Sequence, residues 1–219
     1  MLKATHINKS YQQLSVLKDV SLEVQKSEIV SIVGASGAGK STLLHIISTL
    51  DNPTSGSVWI DGIEVLRLRG KSLAQFRNQK LGFVFQFHNL LPEFSAQENI
   101  CMPAWLGGMA RKEAEKKSEE LMQYLGIWER RTHLPSEMSG GEQQRTAIAR
   151  ALINSPAIVF ADEPSGNLDA ENAKELHQLF LKLRQDKEQT FVVVTHNAEL
   201  AQLSDRVLEI KQGMLNYDK

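Results

Sequence analysis

Residues 34–41 read Gly34-Ala35-Ser36-Gly37-Ala38-Gly39-Lys40-Ser41 and fit the pattern G-x-x-x-x-G-K-[ST]. The flanks are those the pattern requires. Ile29-Val30-Ser31-Ile32-Val33 before it is short, β-branched and apolar, which predicts a buried strand. Thr42-Leu43-Leu44-His45-Ile46-Ile47 after it is apolar without Gly or Pro, which predicts a helix start. Glycines at 34, 37 and 39 let the backbone turn tightly with its N–H groups inward, and the helix aims its positive end at the same point. Such a cradle suits a chain of phosphates. Gly34, Ala35, Ser36, Gly37, Ala38, Gly39, Lys40, Ser41 and Thr42 are the candidate contacts, with Lys40 reaching the β- and γ-phosphates and Ser41 binding Mg²⁺. The alternative is a glycine-rich turn without function. The loop points to a nucleoside triphosphate but is silent on what its energy drives.

The chain has 219 residues, enough for one large domain with a subdomain. Its 25 basic and 26 acidic residues leave a formal net charge of −1, so electrostatics offers nothing for nucleic acid as a main partner. Cys101 is the only cysteine, which excludes an internal disulfide and suits a reducing compartment. No apolar run approaches the ~20 residues a membrane span needs. Met1-Leu2-Lys3-Ala4-Thr5-His6 lacks the apolar stretch of a signal peptide. A cytosolic chain is expected unless a partner holds it at a membrane.

Residues 2–33 pattern as a small sheet: Leu2–Ile7, Val20–Val24 and Glu28–Val33. Tyr11 is expected in the loop between the first two strands, where it could stack on a purine base or pack on its own sheet. Further strands are expected at Ser57–Ile60, Gly82–Phe85, Ala157–Glu163 and Phe191–Val194, with a closing hairpin about Gly213 from Arg206–Ile210 and Met214–Tyr217. Helices are expected at 71–80, 97–106, 112–125, 140–152 and 170–184. The stretch 87–136 carries no strand signal and reads as a helical insertion, its charged helix a solvated face. Strands alternating with helices predict an α/β fold. The expected architecture is a P-loop NTPase core with a mostly parallel sheet, an N-terminal antiparallel β-subdomain and an inserted α-helical subdomain. Residues 1–219 then form a single domain, with 1–86 and 137–219 as core and β-subdomain and 87–136 inserted.

Four sets of polar groups follow strand ends, where open α/β sheets bind ligands: Lys40/Ser41, Gln86, Asp162/Glu163 and His196. In a hydrolytic site their tasks separate. Asp162 would hold Mg²⁺ together with Ser41, and Gln86 would orient the metal or the attacking water. Glu163 would face that water as general base, and His196 would donate a hydrogen bond to the γ-phosphate. Singly each has a plainer meaning: a loop glutamine, a capping histidine, a pair of acids at a turn.

A second motif is Met138-Ser139-Gly140-Gly141-Glu142-Gln143-Gln144-Arg145. A serine and two glycines at a helix start expose N–H groups beside the positive helix end, a second anion site. One nucleotide does not need two such sites in one chain. The economical explanation is that Ser139, Gly140 and Gly141 contact the γ-phosphate held by another copy.

With these residues the chain resembles the ATP-binding subunit of ABC transporters over its whole length. Ser139–Gln143 matches the family's signature, Asp162-Glu163 ends its Walker B strand, and Ser165-Gly166-Asn167-Leu168-Asp169 is similar to the D-loop. Gln86 matches the Q-loop, His196 the switch histidine and Tyr11 the adenine-stacking aromatic. Departures are mild: Met138 for leucine, Glu142 for glutamine, and Asn197 for aspartate after the histidine. The stretches Arg77–Phe83, Gln86–Phe94 and Glu163–Asp169 resemble the branch that contains lipoprotein-releasing, macrolide-exporting and division-associated ATPases, the first most of all.

The resemblance implies an ATPase with catalytic Lys40, Gln86, Glu163 and His196, using ATP and Mg²⁺. It implies a head-to-tail dimer with a second copy around ATP, and integral membrane permease subunits docking near 86–94. It further implies a peripheral place on the cytoplasmic face of the inner membrane, and a lipoprotein substrate touched only through the permease. Phe87, Leu90, Leu91, Pro92 and Phe94 suit a groove for a partner helix, or ordinary packing under the helical insertion. Three alternatives stand: an ATPase regulating a cell-wall or division complex, the ATPase of a macrolide-type exporter, and a soluble ATPase acting on ribosomes or DNA. The third fits poorly, since such proteins usually carry two ATPase units or long insertions. An exporter of the macrolide type normally has its membrane part fused, whereas this sequence ends at Lys219.

Overall fold

The computed structural model describes residues 1–217. They fall into two compact units, one of residues 1–73 with residues 179 onward, the other Ala74–Gln178.

In the first unit, β1 (Leu2–Tyr11) pairs antiparallel with β2 (Leu14–Val24) on one side and β4 (Ser55–Ile60) on the other, and β5 (Ile63–Glu64) continues from β4. Alternate residues Leu2, Ala4, Val20, Leu22, Val58 and Ile60 are buried, as in a sheet with one covered face. The first two strands are longer than expected. Their distal halves are mostly exposed, so hydrophobic period does not reveal them; ladder pairing such as Lys9 with Leu17 does. Tyr11 is accordingly the last residue of β1, paired with Leu14, and not a loop residue.

The same unit holds a second set of strands. The fully buried β8 (Thr190–Val194) and β9 (Arg206–Lys211) flank β3 (Ile29–Val33), both parallel to it, and β10 (Met214–Tyr217) returns antiparallel to β9. The helix α1 (Lys40–Ile47) follows β3 and buries Leu43, Leu44, Ile46 and Ile47. A five-residue helix, α7 (Ala198–Gln202), was not expected: it is too short for a helical period to register.

In the second unit, β6 (Leu81–Phe85) and β7 (Ile158–Asp162) run parallel, Leu81 opposite Ile158 and Phe85 opposite Asp162. Helix α2 (Gly70–Lys80) leads into β6, and α3 (Ala96–Leu106), α4 (Arg111–Tyr124) and α5 (Gly140–Leu152) lie between the two strands in sequence. No strand occurs between residues 87 and 136. Helix α6 (Ala170–Lys187) follows β7 and runs on past Gln178, where this unit ends. The result is an α/β fold with an antiparallel N-terminal sheet and mostly parallel strands elsewhere.

Candidate functional site

The loop between β3 and α1 has the expected form. Gly34 has φ 147° and its Cα lies against the main-chain carbonyl of Ile210, so a Cβ would collide with backbone. Gly39 has φ 105° and is the N-cap of α1, whose first turn carries no acid to compete with an incoming anion. The Lys40 ammonium folds back over its own loop, donating to the carbonyls of Gly34 at 2.9 Å and Ala35 at 3.1 Å. Ser41 and Thr42 follow in the first turn of α1.

In the same unit, half-exposed Tyr11 is held on two sides. Its hydroxyl donates to Asp51 Oδ2 at 2.8 Å, and the Lys9 ammonium sits 4.7 Å from its ring centroid. Lys9 also pairs with Asp51 Oδ2 at 2.8 Å and donates to the Asn52 carbonyl at 2.6 Å. The hydrogen bond to Asp51 raises the Tyr11 hydroxyl above its ordinary pKa. Burial pushes the Asp51 carboxyl up, but hydrogen bonds from Lys9, Tyr11 and the Asn52 main chain outweigh it and hold the group below its ordinary value. His196 is exposed, two residues beyond β8. The cap of α7 is its neighbour: Asn197 Oδ1 accepts from the Leu200 N–H at 3.1 Å. That gives the departure at 197 a structural role.

The second unit carries the remaining candidates. Because Phe85 pairs with Asp162, Gln86 and Glu163 leave the ends of neighbouring strands together. Glu163 has φ 48°, a conformation that costs a non-glycine residue energy and clusters at functional positions. The Gly166 N–H donates to the Glu163 carbonyl at 3.0 Å, which turns the chain sharply after the acid. Asn167 then bonds Gln86 twice, accepting from its Nε2 at 3.2 Å and donating to its main-chain carbonyl at 3.1 Å.

Ser139 caps α5 in a reciprocal box with Glu142: its Oγ accepts from the Glu142 N–H, and Glu142 Oε2 accepts from the Ser139 N–H at 2.8 Å. Glu142 Oε1 pairs with Arg130 at 2.7 Å. The hydrogen bond from Arg130 and then the Ser139 N–H hold the Glu142 carboxyl below its ordinary value, against a smaller rise from burial. Gly140 lies near Leu168, and Gly141 lies against the Asn172 side chain, where a Cβ would collide.

The 86–94 loop is built from within the second unit. Buried Asn99 accepts from the Leu91 N–H at 2.7 Å and donates to the carbonyls of Leu91, Phe94 and Ser95. Arg150 donates to the His88 and Asn89 carbonyls, both at 2.6 Å. Phe87, Leu91 and Phe94 remain exposed, Phe87 at 72%. Beside this loop lies a 490 Å³ cavity whose wall includes Arg77, Phe83, Phe85, Asn89 and Arg150.

The residues that sequence reasoning missed are the supports: Lys9, Asp51, Asn99, Arg150 and the contact role of Asn167. Asn99 alone left a signal, an amide directly before the apolar Ile100-Cys101 step of a helix. No described helix is long and apolar enough to cross a membrane.

Comparison with known proteins identifies a family for the chain. The family model described as ABC transporter matches residues 17–166. The lipoprotein-releasing system ATP-binding protein LolD of Cytophaga hutchinsonii is 57% identical over 215 residues, 98% of each chain. That of Bacteroides thetaiotaomicron is 53% identical with both chains fully covered, and that of Aquifex aeolicus 50% identical over 97% of this chain and 95% of its own. Among solved structures, the dimeric bacterial ABC transporter cassette MJ0796 has a TM-score of 0.91 at 39% identity. Its dimeric post-hydrolysis state bound to ADP and Pi has a TM-score of 0.90 at 38% identity; each alignment covers 100% of this chain and 98% of the other.

Proposed function

Because the chain belongs to the ABC transporter family, as one of its ATP-binding ATPases, we propose that it hydrolyses ATP at the cytoplasmic face of the inner membrane to power lipoprotein release. The observation that carries the core of this reading is the pair of helix starts built for anions, at Gly39–Ser41 and at Ser139–Gly141. Only one is needed by a nucleotide in its own P-loop, so the other serves the nucleotide of a second copy. The names of relatives up to 57% identical support the assignment to lipoprotein release.

Lys40 exchanges its loop carbonyls for phosphate oxygens. Glu163 takes the proton of the attacking water as that water bonds to the γ-phosphorus and the bond to the bridging oxygen breaks, leaving ADP and phosphate. His196 donates a hydrogen bond to the γ-phosphate, and Tyr11 stacks on the base. Ser41, Gln86 and Asp162 offer hydroxyl, amide and carboxylate oxygens, a hard donor set that fits Mg²⁺. The ion supplies neutralisation of phosphate charge. ATP and ADP differ by one phosphate, so γ-phosphate contacts alone distinguish the two states, and the dimer opens after hydrolysis. The exposure of Phe87, Leu91 and Phe94 supports the 86–94 loop as the surface through which membrane permease subunits are driven. Residues 87–136 act as the helical insertion of a single ATPase domain.

Glu163→Gln is expected to bind ATP, lose hydrolysis and elute as a dimer on a sizing column only when ATP is present. A variant that stays monomeric with ATP and hydrolyses normally would contradict the scheme. Purification of the tagged chain from membranes should bring down two integral membrane subunits of a lipoprotein-release system; recovery of a division complex instead would reassign the task.

A further inference from the structure

The Gln86 side chain has two chemically different ends. Its oxygen can ligate a hard cation, whereas its NH₂ can only donate. The contacts around Asn167 decide which end faces which way. Asn167 places one end of its own amide 3.1 Å from the main-chain carbonyl of Gln86, and a carbonyl oxygen only accepts, so that end is its NH₂. The other end is therefore Oδ1, and it lies 3.2 Å from the Gln86 side-chain amide. An oxygen there needs a donor, so the Gln86 end that meets it is Nε2. Oε1 is turned the other way. The near side is closed as well. A Cβ built on Gly166 would stand 2.9 Å from Gln86 Nε2 and 3.2 Å from its Cδ, so the side chain runs directly along the glycine backbone.

We propose that Asn167 is a positioning residue that fixes the orientation of the Gln86 amide, so that oxygen and not nitrogen is presented to Mg²⁺. The inference rests on the assignment of Gln86 as a metal ligand. Because Asn167 lies in the turn between Glu163 and α6, it ties the direction of that ligand to the conformation of this turn. Gly166 is part of the same device: a side chain there would push Gln86 off its path.

The test is made in the non-hydrolysing Glu163→Gln background, so that it reads binding and not turnover. ATP affinity is titrated against Mg²⁺, and Mn²⁺ bound in the presence of ATP is followed by electron paramagnetic resonance. Gln86→Leu and Asn167→Ala should each raise the half-saturating metal concentration roughly five- to tenfold, the loss of about one net hydrogen bond for the latter. Affinity for ATP in EDTA should be unchanged in both. Asn167→Leu, with the same branched skeleton but no polar atoms, should behave as Asn167→Ala does. In Gln86→Glu both ends of the side chain are oxygens, so adding Asn167→Ala should cost nothing further in metal affinity. If Gln86→Leu weakens metal binding while Asn167→Ala and Asn167→Leu do not, the positioning role falls and the ligand assignment survives. If Asn167→Ala costs as much in the Gln86→Glu background as alone, orientation is not what it controls. If Gln86→Leu keeps the original metal dependence, the ligand assignment falls and takes the inference with it.

Discussion

Tyr11, the side chain proposed to stack on the base, is held from two sides. Its hydroxyl is tied to Asp51, and the Lys9 ammonium covers one ring face at 4.7 Å, bound itself to the same carboxylate. The ring keeps its half exposure but not its freedom, and it has one face to offer a purine. Tyr11→Ala should weaken ATP binding about tenfold, within the range for stacking a base on an aromatic, while binding of inorganic tripolyphosphate stays the same. Lys9→Met should cost less, about threefold, since it removes the cation and not the ring. Calorimetric titration with both ligands reads the difference; equal losses for ATP and tripolyphosphate would mean the effect is not on the base. The bond from Tyr11 to Asp51 spans 40 residues, and nothing local in the sequence announces it. The positive φ of Glu163 is equally silent in sequence, because glutamate rarely adopts it and only the surrounding turn imposes it.

Among the elements, α5 makes the departure at 142 intelligible. A glutamine there could complete the capping box, but only a carboxylate also forms the ion pair with Arg130. The Glu142 carboxyl ionises at lower pH folded than unfolded. Its contribution is therefore present above the unfolded pKa and lost as pH falls through the folded one. Glu142→Gln should lower unfolding stability by about 0.5–1 kcal/mol at neutral pH. The gap to the parent should close as the solution is acidified through the glutamate range. Urea melts of both proteins across pH measure this, and a gap independent of pH would exclude the ion pair as its source. Helices α3, α5 and α6 were legible because each presents a helical period over eleven residues or more. α7 was not, since five residues cannot display one; its only sequence mark is the cap at Asn197. The early part of β2 escaped notice because Leu17 is its one buried residue before Val20, and a single buried position makes no alternation.

For the whole molecule, the proposed pairing of P-loop and signature across two copies makes a prediction that no isolated chain can satisfy. Ser139→Arg and Lys40→Ala should each abolish hydrolysis, the first with ATP binding retained. Mixed in equal amounts they should recover roughly a quarter of the original rate, because half of random dimers are mixed and each mixed dimer keeps one intact site. Activity per chain should also rise with protein concentration until the dimer saturates. No recovery on mixing, together with a rate independent of concentration, would place both motifs on the same nucleotide within one chain.

What the sequence specified by itself were the contiguous motifs, namely the P-loop, the signature serine and glycines and the acids at the end of β7, and the α/β alternation. Each depends on backbone geometry or period within a few neighbours, which residue types encode directly. The tertiary structure alone decided how the remaining candidate side chains are held. Lys9 and Asp51 fix Tyr11, Asn99 and Arg150 shape the 86–94 loop, and Asn167 grips Gln86 across 81 residues of chain. The reason is physical: hydrogen-bond direction is a property of distances in space, and residues so far apart in the chain acquire those distances only when their strands and helices pack.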